Sequence, residues 1–136
     1  MAASVIDQAR VVARLEADRF VKSLGIELLE VGEDFVQVGL TLTDAHTNFH
    51  GATHGGAIFS IADCAFSLYA NSYEANASAI DTHMVFSAAS KPGDLLTATA
   101  TEVNRGRTLA TYRVLVHRGD GRVVGHFTGT VFISPT

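Results

Sequence analysis

The segment that most restricts the possible folds is a stretch of small and apolar residues, 55–71, with a single charged side chain, Asp63. It contains no proline and no run of β-branched residues, so it predicts a helix. Apolar residues recur at helical spacing along two of its sides, which indicates that both sides are buried. A helix of this kind has to be enclosed by other elements.

Strand-like segments lie on both sides of this helix in the chain. Two precede it and four follow it, at residues 26–31, 36–42, 79–88, 95–103, 109–117 and 123–133. Glycine-containing turn signals separate them. Strands joined by short turns pair antiparallel, and a buried helix between them packs on the resulting sheet. The sequence therefore predicts an α+β fold, with a curled antiparallel sheet wrapped around one central helix, 55–71.

A further helix is predicted within residues 1–24, before the first strand. Ser4 and Asp7 resemble a capping box, and charges of alternating sign then recur every four residues. We expect one solvated helix over residues 4–24, ended by Gly25. No internal repeat or linker interrupts the chain, so residues 1–136 are expected to form a single domain.

Composition excludes several classes of function. The net charge is -4 and the basic residues are scattered, which disfavours a nucleic-acid partner. One cysteine permits no internal disulfide. Charged residues interrupt the first 25 positions, and no apolar run reaches the ~20 residues of a membrane span. We expect a cytoplasmic protein with no membrane association.

Asp63 is the first candidate functional residue. It shares a third side of the predicted helix with Gly56, Ser60 and Ser67. Burying an unpaired carboxylate costs several kcal/mol, so this residue needs a partner, access to water or a catalytic role. The structural alternative is a carboxylate satisfied by Ser60, Ser67 or a strand residue.

The helix start is the second candidate. Gly55 and Gly56 stand where a polar loop, 44–54, becomes helix. The free N–H groups of a helix start form an anion or oxyanion site when no side chain obstructs them. Close packing or a tight turn is the alternative explanation for two adjacent glycines.

The spacing of these two features limits how they can cooperate. Eight helical residues between Gly55 and Asp63 correspond to a rise of roughly 12 Å. One small reacting group cannot contact both residues of the same helix. If both act on one substrate, they come from different subunits, which predicts an obligate dimer with active sites across its interface.

Residues 46–66 resemble the signature of the PaaI-type (phenylacetate-pathway) hotdog acyl-CoA thioesterases. The shared pattern is Asn-x-His-Gly-x-x-His-Gly-Gly, then five residues and Ala-Asp, here from Asn48 to Asp63. The resemblance implies a hotdog fold and hydrolysis of an acyl-CoA, with aryl or arylacetyl thioesters favoured. It implies these roles: Asp63 as nucleophile or general base, Gly55 as oxyanion donor, Gly56 in substrate contact, Asn48 and His54 orienting the acyl group or oxyanion, and Ser67 positioning water.

The same resemblance implies a homodimer, or a homotetramer built as a dimer of dimers, with coenzyme A along a subunit interface. Arg105, Arg107 and Lys91 could meet the phosphates of the coenzyme, although ordinary solvated turns explain these cations equally well. No cofactor and no metal are expected.

Other readings of the same residues are weaker. His46, His50 and His54 recur every four residues, but Gly51 and the loop composition argue against a metal-binding helix. Cys64 lies about 100° around the helix from Asp63 and is expected in the core. A hotdog hydratase or dehydratase using a histidine and a carboxylate, and a non-catalytic acyl-CoA-binding domain, stay open.

Overall fold

The computed structural model describes residues 5–134, in which a six-stranded antiparallel sheet wraps around one helix. The strands lie in the order β1-β2-β4-β5-β6-β3. The elements are α1 (Gln8–Ala17), α2 (Arg19–Leu24), β1 (Glu27–Val31), β2 (Val36–Thr41), a 3-10 turn (Asp44–His46), α3 (Gly55–Ala70), β3 (Asn76–Phe86), β4 (Leu95–Arg105), β5 (Leu109–Arg118) and β6 (Val123–Ser134). The predicted α+β class and the curled sheet around a central helix are confirmed.

Alternation of buried side chains explains why the sheet packs on α3. Along β4, Leu96, Ala98 and Ala100 are fully buried, while the residues between them face outward. The small residues let the helix approach closely. On β6, a Cβ at Gly129 would lie 2.7 Å from the ring of Phe66 on α3, so only glycine fits there.

Two sides of α3 are buried, as the apolar pattern predicts. Ile61, Ala62 and Ala65 have no exposed surface. The third side faces outward: Gly56 and Ser67 are exposed, and Asp63 is intermediate. The helix ends one residue earlier than predicted, because Asn71 is its C-cap rather than its last residue.

The extra helical segment predicted before the first strand is confirmed, but it is two helices rather than one continuous helix over residues 4–24. The helix is interrupted at Asp18, whose backbone is extended (φ -88°, ψ 97°). The Asp18 side chain accepts a hydrogen bond from Val21 N at 3.1 Å. Aspartate is a favoured N-cap, so it ends α1 and begins α2. Ser4 of the expected capping box lies outside the described residues, and Asp7 caps α1 by accepting from Arg10 N at 3.2 Å.

The two short helices run along one flank of α3. Asp7 N donates to Ser72 O at 3.2 Å, which fixes the start of α1 near the end of α3. At the other end, His46 Nε2 is 2.8 Å from Leu24 O, so the end of α2 is attached to the turn that leads into α3. The break at Asp18 therefore places α2 beside the first turns of the central helix.

The two edges of the sheet differ. The edge strand β1 is short and includes Glu27 and Glu30. The edge strand β3 has eleven residues, nearly all outside the core, and exposes Ile80 and Val85. None of the helices within residues 5–134 is long and apolar enough to cross a membrane.

Candidate active site

The loop before α3 is held in place by Asn48. Its Oδ1 accepts from His50 N at 2.9 Å and from Ala52 N at 3.2 Å. Gly51 adopts φ 79°, a left-handed conformation that favours glycine. The side-chain oxygen of Asn48 is thus used for hydrogen bonds within the loop.

The first turn of α3 distinguishes the two candidate glycines. His54 is the N-cap, and its Nδ1 accepts from Gly56 N at 2.8 Å. The N–H of Gly55 donates to no acceptor within the part of the chain that is described. Of the two glycines, Gly55 is therefore the one whose N–H is available to an incoming oxygen.

The cap also fixes the tautomer of His54. Because Nδ1 accepts a hydrogen bond, a neutral His54 carries its proton on Nε2. The ring is exposed, so Nε2 is free to donate to a group bound in front of the helix start. This geometry is compatible with the predicted orienting role of His54, which stays a prediction.

Phe86 covers the other side of Gly55. A Cβ at Gly55 would lie 3.3 Å from the Phe86 ring, a tight but adjustable contact because 53% of the phenylalanine is exposed. Phe86 is the last residue of the edge strand β3, and the sequence offered no signal for this contact. It arises only from the pairing of β3 with the distant strand β6.

Asp63 has no hydrogen-bond partner among residues 5–134. The expected partner Ser60 donates instead to Gly56 O at 2.7 Å, and Ser67 is exposed. Burial raises the pKa of Asp63, and the nearby negative charge of Asp18 raises it further. A partly desolvated carboxylate with no structural partner is a candidate general base or nucleophile.

Asp18 is a residue that sequence reasoning did not connect with the site. The break between α1 and α2 brings its carboxylate within electrostatic range of Asp63. Aspartate is a favoured N-cap, so Asp18 was a possible signal for a helix start. The charges of alternating sign continue through it, however, and they are equally typical of one uninterrupted helix.

Gly55 and Asp63 lie on the same continuous helix, so the roughly 12 Å rise between them applies as calculated. Together they cannot contact one thioester carbonyl from a single chain.

The two residues considered as alternatives are not available: the Cys64 thiol stays protonated, and both ring nitrogens of His46 are hydrogen-bonded within the chain. Burial raises the pKa of the Cys64 thiol to about 12, with smaller contributions from Asp18 and Asp63, so the thiol stays protonated at neutral pH. His46 is buried and uses both ring nitrogens, Nδ1 with Thr43 N at 2.9 Å and Nε2 with Leu24 O at 2.8 Å. No group of three possible metal-binding side chains occurs in residues 5–134.

The cations suggested for coenzyme binding are not brought together within one chain. Lys91 precedes β4, whereas Arg105 ends it, and ten strand residues span roughly 33 Å. Arg107 is exposed in the β4–β5 turn. Arg105 is directed inward: its Nη1 donates to Tyr112 OH at 2.9 Å, and its guanidinium lies 3.9 Å from the centre of the Tyr73 ring.

Comparison with known proteins identifies the class. Residues 50–125 match the thioesterase superfamily. A candidate esterase from Deinococcus radiodurans is 47% identical over 117 residues, which cover 85% of this chain and 80% of that protein. The acyl-coenzyme A thioesterase PaaI of Escherichia coli is 34% identical over 86% of this chain and 84% of its own length.

Solved structures agree with this match. The E. coli PaaI structure superposes with a TM-score of 0.92, 30% identity and 97% coverage of both chains. A hypothetical thioesterase from Streptococcus pneumoniae, solved with coenzyme A, has a TM-score of 0.77 and 25% identity over 82% of this chain and 90% of its own. The fold is the hotdog fold, and the protein is a thioester hydrolase. The chain belongs to the thioesterase superfamily, and within it to the PaaI type.

Proposed function

We propose that this enzyme hydrolyses acyl-CoA thioesters, with aryl or arylacetyl groups as the preferred acyl part. The observation that carries the proposal is that α3 holds both an unpartnered carboxylate, Asp63, on its outward side and a free N–H, that of Gly55, at its start. The E. coli relative is an acyl-CoA thioesterase, and the pneumococcal structure holds coenzyme A, which supports a CoA thioester as the substrate.

In the proposed reaction, Gly55 N–H donates to the thioester carbonyl oxygen and stabilises the negative charge that develops there. Asp63 either removes a proton from the attacking water or attacks the carbonyl carbon itself. The C–S bond then breaks, and the coenzyme leaves as a thiolate that takes up a proton. On the second route, water next cleaves the mixed anhydride and regenerates the carboxylate.

Three further residues have supporting roles in this proposal. His54 uses its Nε2–H to orient the oxyanion or acyl group, because its Nδ1 is bound to Gly56 N. Asn48 retains its amide N–H groups, since only its Oδ1 holds the loop. Ser67 lies one turn beyond Asp63 on the exposed side and can hold the attacking water.

The active site is proposed to form between two subunits. Gly55 and Asp63 of one helix are too far apart to share a carbonyl, so a second copy has to supply one of them. The edge strand β3 is suited to this contact: a strand with unpaired backbone groups and exposed Ile80 and Val85 is unfavourable in water and favours pairing with another strand. Assembly into tetramers, a cytoplasmic location and a single domain over residues 1–136 stay predictions.

For the coenzyme phosphates, Lys91 and Arg107 are the better candidates, because Arg105 is engaged with Tyr112 and Tyr73. These two residues lie at opposite ends of β4, too far apart to contact the same nucleotide from one chain. If both bind one coenzyme, they have to come from different subunits.

The decisive experiment is a thiol-release assay over phenylacetyl-, benzoyl-, butanoyl- and decanoyl-CoA, with Asp63→Ala as control. We expect the wild type to favour the aromatic substrates and the variant to lose activity on all of them. Full activity of Asp63→Ala would instead indicate that hydrolysis in the assay does not use this site, and an inactive wild type that still binds coenzyme A would favour a binding domain.

A single turnover in ¹⁸O-labelled water then separates the two routes. Only the nucleophilic route transfers label into the Asp63 carboxylate, which mass spectrometry of the peptide detects.

A further inference from the structure

A cavity of about 280 Å³ lies beside the first turns of α3, on the flank covered by α2. Phe20 and Leu24 of α2 line one side, and His54, Gly56 and Ser60 line the other. Gly55, the proposed oxyanion donor, lies in the chain between two of these residues. Gly55 itself does not line the cavity, but both of its chain neighbours do, so a carbonyl bound at Gly55 N–H would lie within one residue of the lining.

The cavity offers few unused hydrogen-bonding groups to a ligand. The polar side chains that line it already bond to the backbone: Ser60 Oγ to Gly56 O at 2.7 Å, Thr47 Oγ1 to Asp44 O at 2.7 Å, His54 Nδ1 to Gly56 N at 2.8 Å, and His46 Nε2 to Leu24 O at 2.8 Å. The surface that is left to a ligand is mainly that of Phe20, Leu24 and the alanines beside them. Such a site favours an apolar group over a charged one.

Phe20 is not part of the hydrophobic core. Its neighbour Val21 is buried, whereas 64% of Phe20 is exposed. An aromatic side chain at the edge of an apolar cavity gains from contact with a bound apolar group, since that contact removes surface of both from water.

Helix α2, which carries Phe20 and forms one side of the cavity, is fixed at both ends. Asp18 caps the start of α2 through Val21 N, and the last carbonyl, Leu24 O, is bound to the buried ring of His46. Phe20 is therefore presented from a defined position, and a change at this side chain changes the cavity without a change in the core.

The volume limits the size of the occupant. A cavity of about 150 Å³ holds a benzene molecule, so 280 Å³ accommodates a six-membered ring with a short linker. A long alkyl chain would have to pass Phe20 into solvent.

We propose that this cavity is the acyl-group pocket and that Phe20 sets its length, so that α2 selects compact, apolar, ring-sized acyl groups. The proposal deepens the thioesterase function proposed above and rests on it. Phe20 is here a specificity-determining residue that takes no part in bond breaking.

The first test compares kcat/KM for phenylacetyl-CoA and decanoyl-CoA in the wild type, Phe20→Ala and Phe132→Ala. Phe132 is a partly exposed phenylalanine on the outward face of β6 and serves as the matched control. Phe20→Ala is expected to shift the ratio toward decanoyl-CoA by at least about tenfold, because several methylenes gain space. The control leaves the ratio unchanged. An unchanged ratio in Phe20→Ala overturns the proposal.

A second test needs no turnover. The chain contains no tryptophan, so Phe20→Trp carries a single indole at the cavity. Titration with a phenylacetyl-CoA analogue whose sulfur is replaced by methylene is expected to change its fluorescence saturably, and Phe132→Trp to show no change. Absence of the change at position 20 refutes the pocket even if the enzyme hydrolyses acyl-CoAs. Failure of the wild type in the thiol-release assay refutes the function itself.

Discussion

Two regions of the molecule around α3 use their polar groups in opposite ways. On the helix itself, the N–H of Gly55 and the carboxylate of Asp63 have no partner among residues 5–134. Around Tyr69, at the C-terminal end of the helix, the polar side chains are hydrogen-bonded to one another. In the proposed site the first set is available to a substrate, whereas the second set holds the fold.

The region around Tyr69 is built on Glu102 of β4. Its Oε1 accepts from Tyr112 OH at 2.8 Å and from Tyr73 OH at 3.2 Å, and Arg105 Nη1 lies 3.9 Å away. Burial raises the pKa of Tyr112, and the hydrogen bond to Glu102 raises it further, so the phenol stays a donor. Tyr69 of α3 packs against Tyr112 with ring centres 5.1 Å apart.

The largest expected effect is that of Asp63→Asn. Turnover should fall by on the order of 10²–10⁴-fold, because the amide can neither accept a proton nor attack. Folding should be as stable or more stable, because a partly buried carboxylate without a partner is removed. Steady-state kinetics and thermal denaturation measure the two quantities, and a variant that fails to fold would assign Asp63 to structure instead.

Glu102→Gln makes the same chemical change in the region around Tyr69 and should give the opposite result. One charge-assisted acceptor of two tyrosines is weakened, so the free energy of unfolding should fall by about 1–3 kcal/mol. Activity per folded molecule should be retained. Urea denaturation, with activity measured below the transition, tests this. A loss of turnover like that of Asp63→Asn, with unchanged stability, would remove the contrast between the two regions.

Gly55→Ala tests the helix start without removing a hydrogen-bonding group. The added Cβ would lie 3.3 Å from the exposed Phe86 ring, so the ring has to shift by a few tenths of an ångström, and the new methyl group crowds an N–H that stays in place. Turnover is expected to fall about tenfold with a smaller change in KM. Gly55→Ala with full kcat in stopped-flow or steady-state assays would exclude the oxyanion role.

The smallest expected effect concerns pH. The raised pKa of Asp63 places the acidic limb of kcat/KM above the ordinary pKa of an aspartate, since the ionised form is the active one. Asp18→Asn keeps the cap on Val21 N and removes the neighbouring negative charge, so the limb should move to lower pH. Burial, the larger cause, is unchanged, so the shift is partial. A pH–rate profile identical to the wild type would show that Asp18 does not influence the site.

The same pKa has a consequence for stability. A carboxyl whose pKa is raised by folding destabilises the folded state as pH rises from its ordinary pKa to the raised one. The stabilisation by Asp63→Asn should therefore be present at neutral pH and disappear in acid.

Much of this architecture could be predicted from local sequence signals. The mainly apolar pattern of residues 55–71, with its single charge at Asp63, predicted α3 and its two buried sides. The break at Asp18 was missed because a four-residue charge repeat is equally compatible with one helix or two. The Phe86 contact and the inward direction of Arg105 depend on pairing between distant strands, which no local pattern contains.

Strand order has a consequence for synthesis of the chain. β3 pairs with β6, which follows it by more than thirty residues, and β6 lies between β5 and β3 in the sheet. Until β6 has left the ribosome, β3 has no strand to pair with and Phe86 has no fixed place beside Gly55. The strand that carries Phe86 is thus assembled last, and a chain released before β6 is made contains α3 but has no fixed Phe86 beside Gly55.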